Sequence, residues 1–294
     1  MLSNGNQVQE GAIGSVLLIG CGYVGIALAR GWIEKGLTVY GTTRRAEKLP
    51  FLREEGIRPL LVDLLKPPFV LPRTDWTYFM VAGSHDETLP RAMANVLAAF
   101  RESVPTRFIY TSSTGVYGDY GGAWVDESSP RQAAHPSGIR LIETEDLLFS
   151  AIEERQFPAI LTRLSGIYGP DRLPGRDRLL NKSVLRGDPN GYLNLIHLED
   201  LIPHLMAAPL FGKIGDCYLL TDDQPVLRKE YYEALASRLG ISDFEPTWAA
   251  LDSAATSRRC RNQKMKAQFK LDLAYPSYRE GLAALLPGEP EPTR

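Results

Sequence analysis

The sequence predicts a doubly wound α/β fold, on the strength of three observations. Short β-branched or aromatic runs alternate with longer amphipathic stretches along the 294-residue chain. Several of those runs are continuously apolar, as a parallel sheet covered on both faces requires. Their spacing, about 20 to 30 residues, is that of right-handed strand–helix–strand units.

In chain order the strands are expected at 15–20, 37–42, 59–63, 77–82, 107–112 and 159–163. Between them, Val24, Ala27, Leu28 and Trp32 recur at helical spacing, as do Ala92, Val96 and Ala99, and then Ile142, Leu147 and Leu148. These stripes are read as core. Beyond Tyr168 the texture changes to a loop carrying Pro170, Asp171, Pro174, Gly175 and Asp177, followed by helical patterns at 231–239 and 278–286. The expected organisation is therefore an N-terminal extension without fixed structure (1–14), a dinucleotide-binding domain (15–168, with a return segment near 192–220), a smaller interleaved α/β substrate domain (169–286) and a tail (287–294).

Composition narrows the function classes. With 44% hydrophobic residues, 23% charged residues and a net charge of −2, the chain offers no electrostatic reason to bind nucleic acid or an anionic membrane. No apolar run has the length of a membrane span. The polar stretch 1–14 lacks both the basic start and the apolar core of a signal peptide. Cys21, Cys217 and Cys260 are widely spaced and odd in number, which suits a reducing compartment better than a disulfide framework or a zinc site. A cytoplasmic protein is expected.

The first strand runs directly into Gly20-Cys21-Gly22-Tyr23-Val24-Gly25, which opens the first helix. In that context a glycine triplet is the fingerprint of a Rossmann-type dinucleotide site. Gly20 permits the tight turn, Gly22 lets backbone approach a pyrophosphate, and Gly25 allows close helix–strand packing. The bland alternative is a glycine-rich turn with no ligand. About 20 residues further on, a site for NAD would place a carboxylate on the ribose hydroxyls. This chain has Thr42-Thr43-Arg44-Arg45 there. Guanidiniums pair bidentately with a 2′-phosphate that a carboxylate would repel, so NADP is favoured over NAD. The competing reading makes Arg44 and Arg45 the start of a solvated helix.

Together these segments resemble the extended short-chain dehydrogenase/reductase superfamily, which includes sugar-nucleotide epimerases and dehydratases. The resemblance runs through Asp63, Val81-Ala82-Gly83, Thr111-Ser-Ser-Thr-Gly-Val-Tyr-Gly118, Arg163-Leu-Ser-Gly-Ile-Tyr-Gly-Pro170, Ile196-His-Leu-Glu-Asp200 and Tyr278-Arg-Glu-Gly-Leu282. It implies an adenine-side role for Asp63, a place beneath the cofactor riboses for Ala82 and Gly83, and the catalytic serine position for Ser113. It also implies a sugar-like or sugar-nucleotide substrate, and a homodimer formed through a helical bundle.

One element departs from the family pattern. Members carry Tyr-x-x-x-Lys on the helix after the serine strand, the tyrosine moving a proton and the lysine lowering its pKa. Here the stretch reads His135-Pro-Ser-Gly-Ile-Arg140, and no tyrosine in the chain has lysine at the fourth position after it. Arg140 falls at the lysine position and can supply charge to a ribose, but arginine stays protonated and cannot replace the proton donor. The glycine turn is also one residue shorter than the family's Gly-x-x-Gly-x-x-Gly. Both departures resemble an atypical subgroup that keeps the cofactor domain and lacks the tyrosine.

Candidate catalytic residues are thus Ser113, Arg140 and His135, the imidazole being the side chain whose ordinary pKa of about 6.5 suits proton transfer. His135 before a Pro-Ser-Gly turn also reads as a plain loop residue, and Ser113 as a serine satisfied by backbone. His85 is a further candidate facing the cofactor. The arginines of 171–178 either grip an anionic substrate or belong to a solvated loop. The dispersed histidines give no metal site. Two functions remain open: an NADP-dependent oxidoreductase of the epimerase/dehydratase type acting on a small or sugar-like substrate, or a catalytically inactive NADP-binding regulatory or redox-sensing protein.

Overall fold

Seven parallel strands form one sheet: β1 (Ser15–Ile19), β2 (Thr38–Thr43), β3 (Arg58–Leu61), β4 (Trp76–Phe79), β5 (Arg107–Ser113), β6 (Ala159–Leu164) and β7 (Cys217–Leu220). Their spatial order is β7-β6-β5-β4-β1-β2-β3. The chain steps outward from β1 to β3, then returns to lay β4 on the other side of β1. That reversal opens a crevice at the carboxyl ends of β1 and β4, where doubly wound folds bind their ligands. The computed structural model describes residues 14–81, 88–249 and 256–287. Nearly all of the expected extension and tail, and Ala82, Gly83 and His85, lie outside the described residues.

Helices cover both faces, which is why the strands are apolar without alternation. On one face α1 (Tyr23–Glu34) contributes Leu28, Ala29 and Trp32 to a core shared with α5 (Leu198–Phe211) and α7 (Gln263–Phe269). Trp32 meets Trp76 of β4 there, ring centroids 4.8 Å apart. On the other face α3 (Thr88–Ala99) and α4 (Pro136–Arg155) pack Leu89, Met93, Val96, Leu148 and Ala151 against Phe79, Phe108 and Tyr110. Between β2 and β3 lies α2 (Leu49–Glu54).

A separate apolar cluster forms beyond β6, where Tyr168, Leu179 and Leu185 meet α6 (Arg228–Arg238) and α8 (Tyr278–Leu285). Short pairs link distant segments here: Gly166–Tyr168 pairs in parallel with Leu195–His197, and Trp124–Val125 with Arg259–Cys260. Among the described residues no helix is long and apolar enough to cross a membrane.

Two elements differ from the sequence reading. The sheet has a seventh strand, β7, in the return segment, a run of four residues too short to carry a period. The helix before it, α5, contains Pro203 and Pro209, which conceal it because proline removes a backbone donor and usually ends a helix.

Candidate functional site

The crevice holds two adjacent hollows that share Gly20, Gly22, Met80 and Val81 as a common wall. One, of about 510 Å³, runs from the glycine turn towards the ends of β2 and β3. The other, of about 400 Å³, runs towards β5, α4 and β6.

The first hollow pairs an apolar slot with a basic rim. Val62, Leu64, Leu65, Met80, Val81 and Ala92 line the slot, and Thr42, Thr43, Arg44, Arg45 and Lys48 lie at its β2 end. A 3₁₀ turn over Ala46–Lys48 carries Lys48 back to this rim. Arg44, Arg45 and Lys48 take part in no ion pair among the described residues, so a ligand anion meets cations without competitors. Lys48 was not anticipated from the sequence; only the turn reveals that it lies beside the arginines. Asp63 also lines the hollow, its Oδ1 accepting from Leu65 N at 3.1 Å and its Oδ2 lying 3.6 Å from Lys66 Nζ.

The glycine turn is built for close approach. Gly20 has φ +107°, and a Cβ there would lie 3.0 Å from Met80 O. A Cβ on Gly25 would lie 2.6 Å from Gly20 O, so only glycine lets α1 sit this close to β1. Gly22 faces open space and is the N-cap of α1, with no side-chain cap and no acidic residue in the first turn. The first N–H groups of α1 therefore have no internal acceptor, and its positive dipole end faces the crevice. Gly20 N donates to Thr42 Oγ1 at 3.1 Å, locking the turn to β2. Cys21 packs against Gly41, and burial pushes its thiol up to about 12 against the opposing pull of Lys48. Such a thiol stays protonated and inert. An uncapped helix N-terminus, an apolar slot for a ring and a free basic rim together fit an adenine dinucleotide.

The second hollow is lined by Gly22, Tyr23, Val24 and Gly25 of the turn, Thr111 to Ser113 of β5, and Ser137 and Leu141 of α4. Leu164, Ser165, Ile167 and Arg172 complete it. Ser113 Oγ accepts from Gly115 N at 3.1 Å, which fixes the hydroxyl at the end of β5. The Arg172 guanidinium carbon lies 5.4 Å from the centre of the Tyr23 ring, and Tyr23 donates to Pro170 O at 2.8 Å. This contact ties the turn after β6 to the start of α1.

A buried network holds this end in place. Glu145 of α4 accepts from Ser112 Oγ at 2.7 Å, from Arg163 Nε at 3.0 Å and from Arg163 Nη2 at 2.8 Å. Arg163 also donates to Tyr117 Oη at 2.8 Å. One carboxylate thus joins β5, α4 and β6, with its charge matched and its lone pairs occupied.

The sequence-derived catalytic candidates separate. Ser113 lines the hollow, whereas Arg140 and His135 are not among the lining residues of either hollow. Arg140 lies 3.7 Å from Glu143, and His135 is the N-cap of α4. The helix presents Ser137 and Leu141 instead of Pro136 and Arg140. Its phase is set by Gly138, where a Cβ would lie 2.8 Å from Gly115 O, so that residue must face inward. Among the described residues no group of histidine, cysteine and acidic side chains is placed to hold a metal.

Comparison with known proteins agrees with this geometry. The model of the NAD dependent epimerase/dehydratase family matches residues 87–187. Protein YeeZ of Escherichia coli K12 is 31% identical over 241 residues, covering 77% of this chain and 84% of YeeZ. A putative NAD-dependent epimerase/dehydratase from Methylobacillus flagellatus is 28% identical in sequence and superposes with a TM-score of 0.77 over 94% of this chain and 98% of its own. The UDP-glucose 4-epimerase of Thermotoga maritima, solved with UDP-glucose, shares the fold at 18% identity, with a TM-score of 0.80 over 92% of this chain and 97% of its own. The chain belongs to the NAD-dependent epimerase/dehydratase family.

Proposed function

We propose that the chain is an NADP-dependent enzyme that oxidises or reduces a carbinol or carbonyl carbon of a small, sugar-like substrate, a sugar nucleotide being the favoured class. The observation that carries this reading is the layout of the crevice, two hollows on one shared wall. A free cationic rim at Arg44, Arg45 and Lys48 leads past an uncapped helix N-terminus to a hollow lined by the hydroxyls of Ser113 and Ser137. The rim matches the 2′-phosphate that distinguishes NADP, and α1 matches the pyrophosphate. The substrate class is supported by the T. maritima epimerase, which carries UDP-glucose.

When bound, the dinucleotide supplies or accepts a hydride at its nicotinamide ring. The chain's own contribution is to hold the phosphates, wall the ring with Val81, Leu164 and Ile167, and orient the substrate oxygen through Ser113 Oγ. The second reading, binding without turnover, is favoured by the lining of the second hollow, where α4 presents the uncharged Leu141 and no lysine is present.

The two readings separate in a turnover assay with a carbonyl and nucleotide-sugar panel. Turnover by the wild type, with Ser113→Ala reducing kcat about 100-fold, supports the enzyme. Tight NADPH binding with no turnover across the panel supports the binding protein.

A further inference from the structure

Ser137 lines the same hollow as Ser113, one turn before Leu141 on α4. Its Oγ lies 2.7 Å from His135 Nδ1, and its backbone N–H donates to that same nitrogen at 3.2 Å. A ring nitrogen that accepts a backbone N–H bears a lone pair, so in the neutral imidazole the proton sits on Nε2. The short contact then runs from the Ser137 hydroxyl to Nδ1. That is the polarity of a base holding a hydroxyl's proton.

We propose that Ser137 is the catalytic proton carrier of this site, taking the place of the family's tyrosine, and that His135 relays its proton. The inference rests on reading the crevice as a nicotinamide-dependent active site. Serine alone is too weak an acid for the task, and neither Leu141 nor Arg140, which lies by Glu143, supplies the ammonium that assists tyrosine in the family. His135 supplies the missing acid–base partner from the other direction, along the chain instead of across the helix.

Capping by itself does not account for the pair. His197 is also the N-cap of its helix and accepts from Glu199 N at 3.2 Å through the same nitrogen. Two residues after His197 stands Glu199, not a hydroxyl, and the ring is 1% exposed, packed against Tyr168 and Tyr275. His135 and Ser137 are both partly exposed, and Ser137 opens on the crevice. One histidine closes a helix end; the other closes a helix end and holds a hydroxyl in the site.

The proton balance is closed. Oxidation of a carbinol removes a hydride from carbon and a proton from oxygen. The proton passes to Ser137 Oγ as the hydroxyl's own proton passes to His135 Nδ1, giving imidazolium; the C–O bond becomes C=O as the hydride leaves carbon for the oxidised dinucleotide. Reduction runs the same transfers in reverse, with the proton returned from imidazolium through Ser137 to the new alkoxide oxygen.

The test uses the full chain with NADP and UDP-glucose or dTDP-glucose, and with NADPH and 9,10-phenanthrenequinone. Ser137→Ala is expected to lower kcat by about 100-fold or more, and Ser137→Thr to restore most of it. His135→Asn keeps an oxygen to cap Ser137 N–H but cannot exchange a proton, so it should match the kcat loss with Tm and NADPH Kd unchanged. Imidazole nitrogen NMR reads the contact without turnover: Ser137→Ala should move the His135 Nδ1 resonance towards that of a weakly bonded acceptor. Wild-type turnover that survives in Ser137→Ala or His135→Asn, or an unmoved resonance, overturns the relay and leaves the enzyme reading intact. NADPH binding without wild-type turnover on any probe overturns the enzyme reading, and the relay with it.

Discussion

The two ends of the crevice are built on different principles. At the β2 end each feature is local: a glycine turn of six residues, a pair of arginines one step past a strand, and a lysine a single 3₁₀ turn further on. At the β5 end the wall is assembled from β5, α4, β6 and the turn after it, so residues as distant as Ser113, Ser137, Ile167 and Arg172 share one hollow. The first end is a charge pattern that a ligand meets directly. The second depends on a buried ion pair and on the rotational phase of one helix. A local site tolerates error in the rest of the fold, while an assembled one does not.

That contrast can be broken at several points, the largest effect coming from the glycine turn that sets α1 against β1. Gly25→Val places side-chain carbon where Gly20 O already stands, so binding of both NADPH and NADH should be abolished in a fluorescence titration. Retained binding would show that α1 can shift without cost. Next, Glu145→Ala leaves Arg163 buried and unpaired. It should lower unfolding stability by about 3–5 kcal/mol in urea, and disturb the β5 end in particular. A loss below about 1 kcal/mol, the range of an exposed pair, would mean that the network does not hold β5, α4 and β6 together.

Arg44→Ala tests the β2 end alone. Charge-assisted bonds of this kind contribute about 1.5–3 kcal/mol, so NADPH affinity should fall roughly 10- to 100-fold. NADH affinity should stay within about twofold, and equal losses for both would remove the phosphate assignment. The smallest effect concerns pH. Burial holds the His197 pKa below its ordinary value of 6.5, against the opposing pull of Glu199 and Asp200. A lowered folded pKa means the unfolded chain takes up the proton first, so this contribution is present above about pH 6.5 and is lost as the pH falls. In His197→Asn the drop in urea midpoint between pH 7.5 and 5.5 should shrink; an unchanged drop would place the pH sensitivity elsewhere.

How much was legible in the sequence follows the same division. Six strands and the helices on either side are visible because burial on both faces imprints continuous apolar runs. Gly20, Gly22, Gly25, Arg44 and Arg45 are visible because their relations are short in sequence. The seventh strand was hidden by its brevity and α5 by Pro203 and Pro209. The place of Ser137 in the hollow is not legible because aligning α4 on the family's motif sets its register by sequence, whereas its phase comes from Gly138 lying against Gly115. A shift of one residue on a helix turns a side chain by about 100°, enough to exchange Pro136 and Arg140 for Ser137 and Leu141. The cue was present as His-x-Ser at a helix start, a pattern whose meaning depends on where the serine points.

The account stands most directly on one measurement, a crystal structure of the chain with NADPH. It predicts the 2′-phosphate within hydrogen-bonding distance of Arg44 and one of Arg45 or Lys48, the pyrophosphate at Gly22, and the nicotinamide in the hollow lined by Ser113 and Ser137. A dinucleotide bound with its 2′-phosphate turned away from Arg44 and Lys48, or with its nicotinamide outside that hollow, would contradict it.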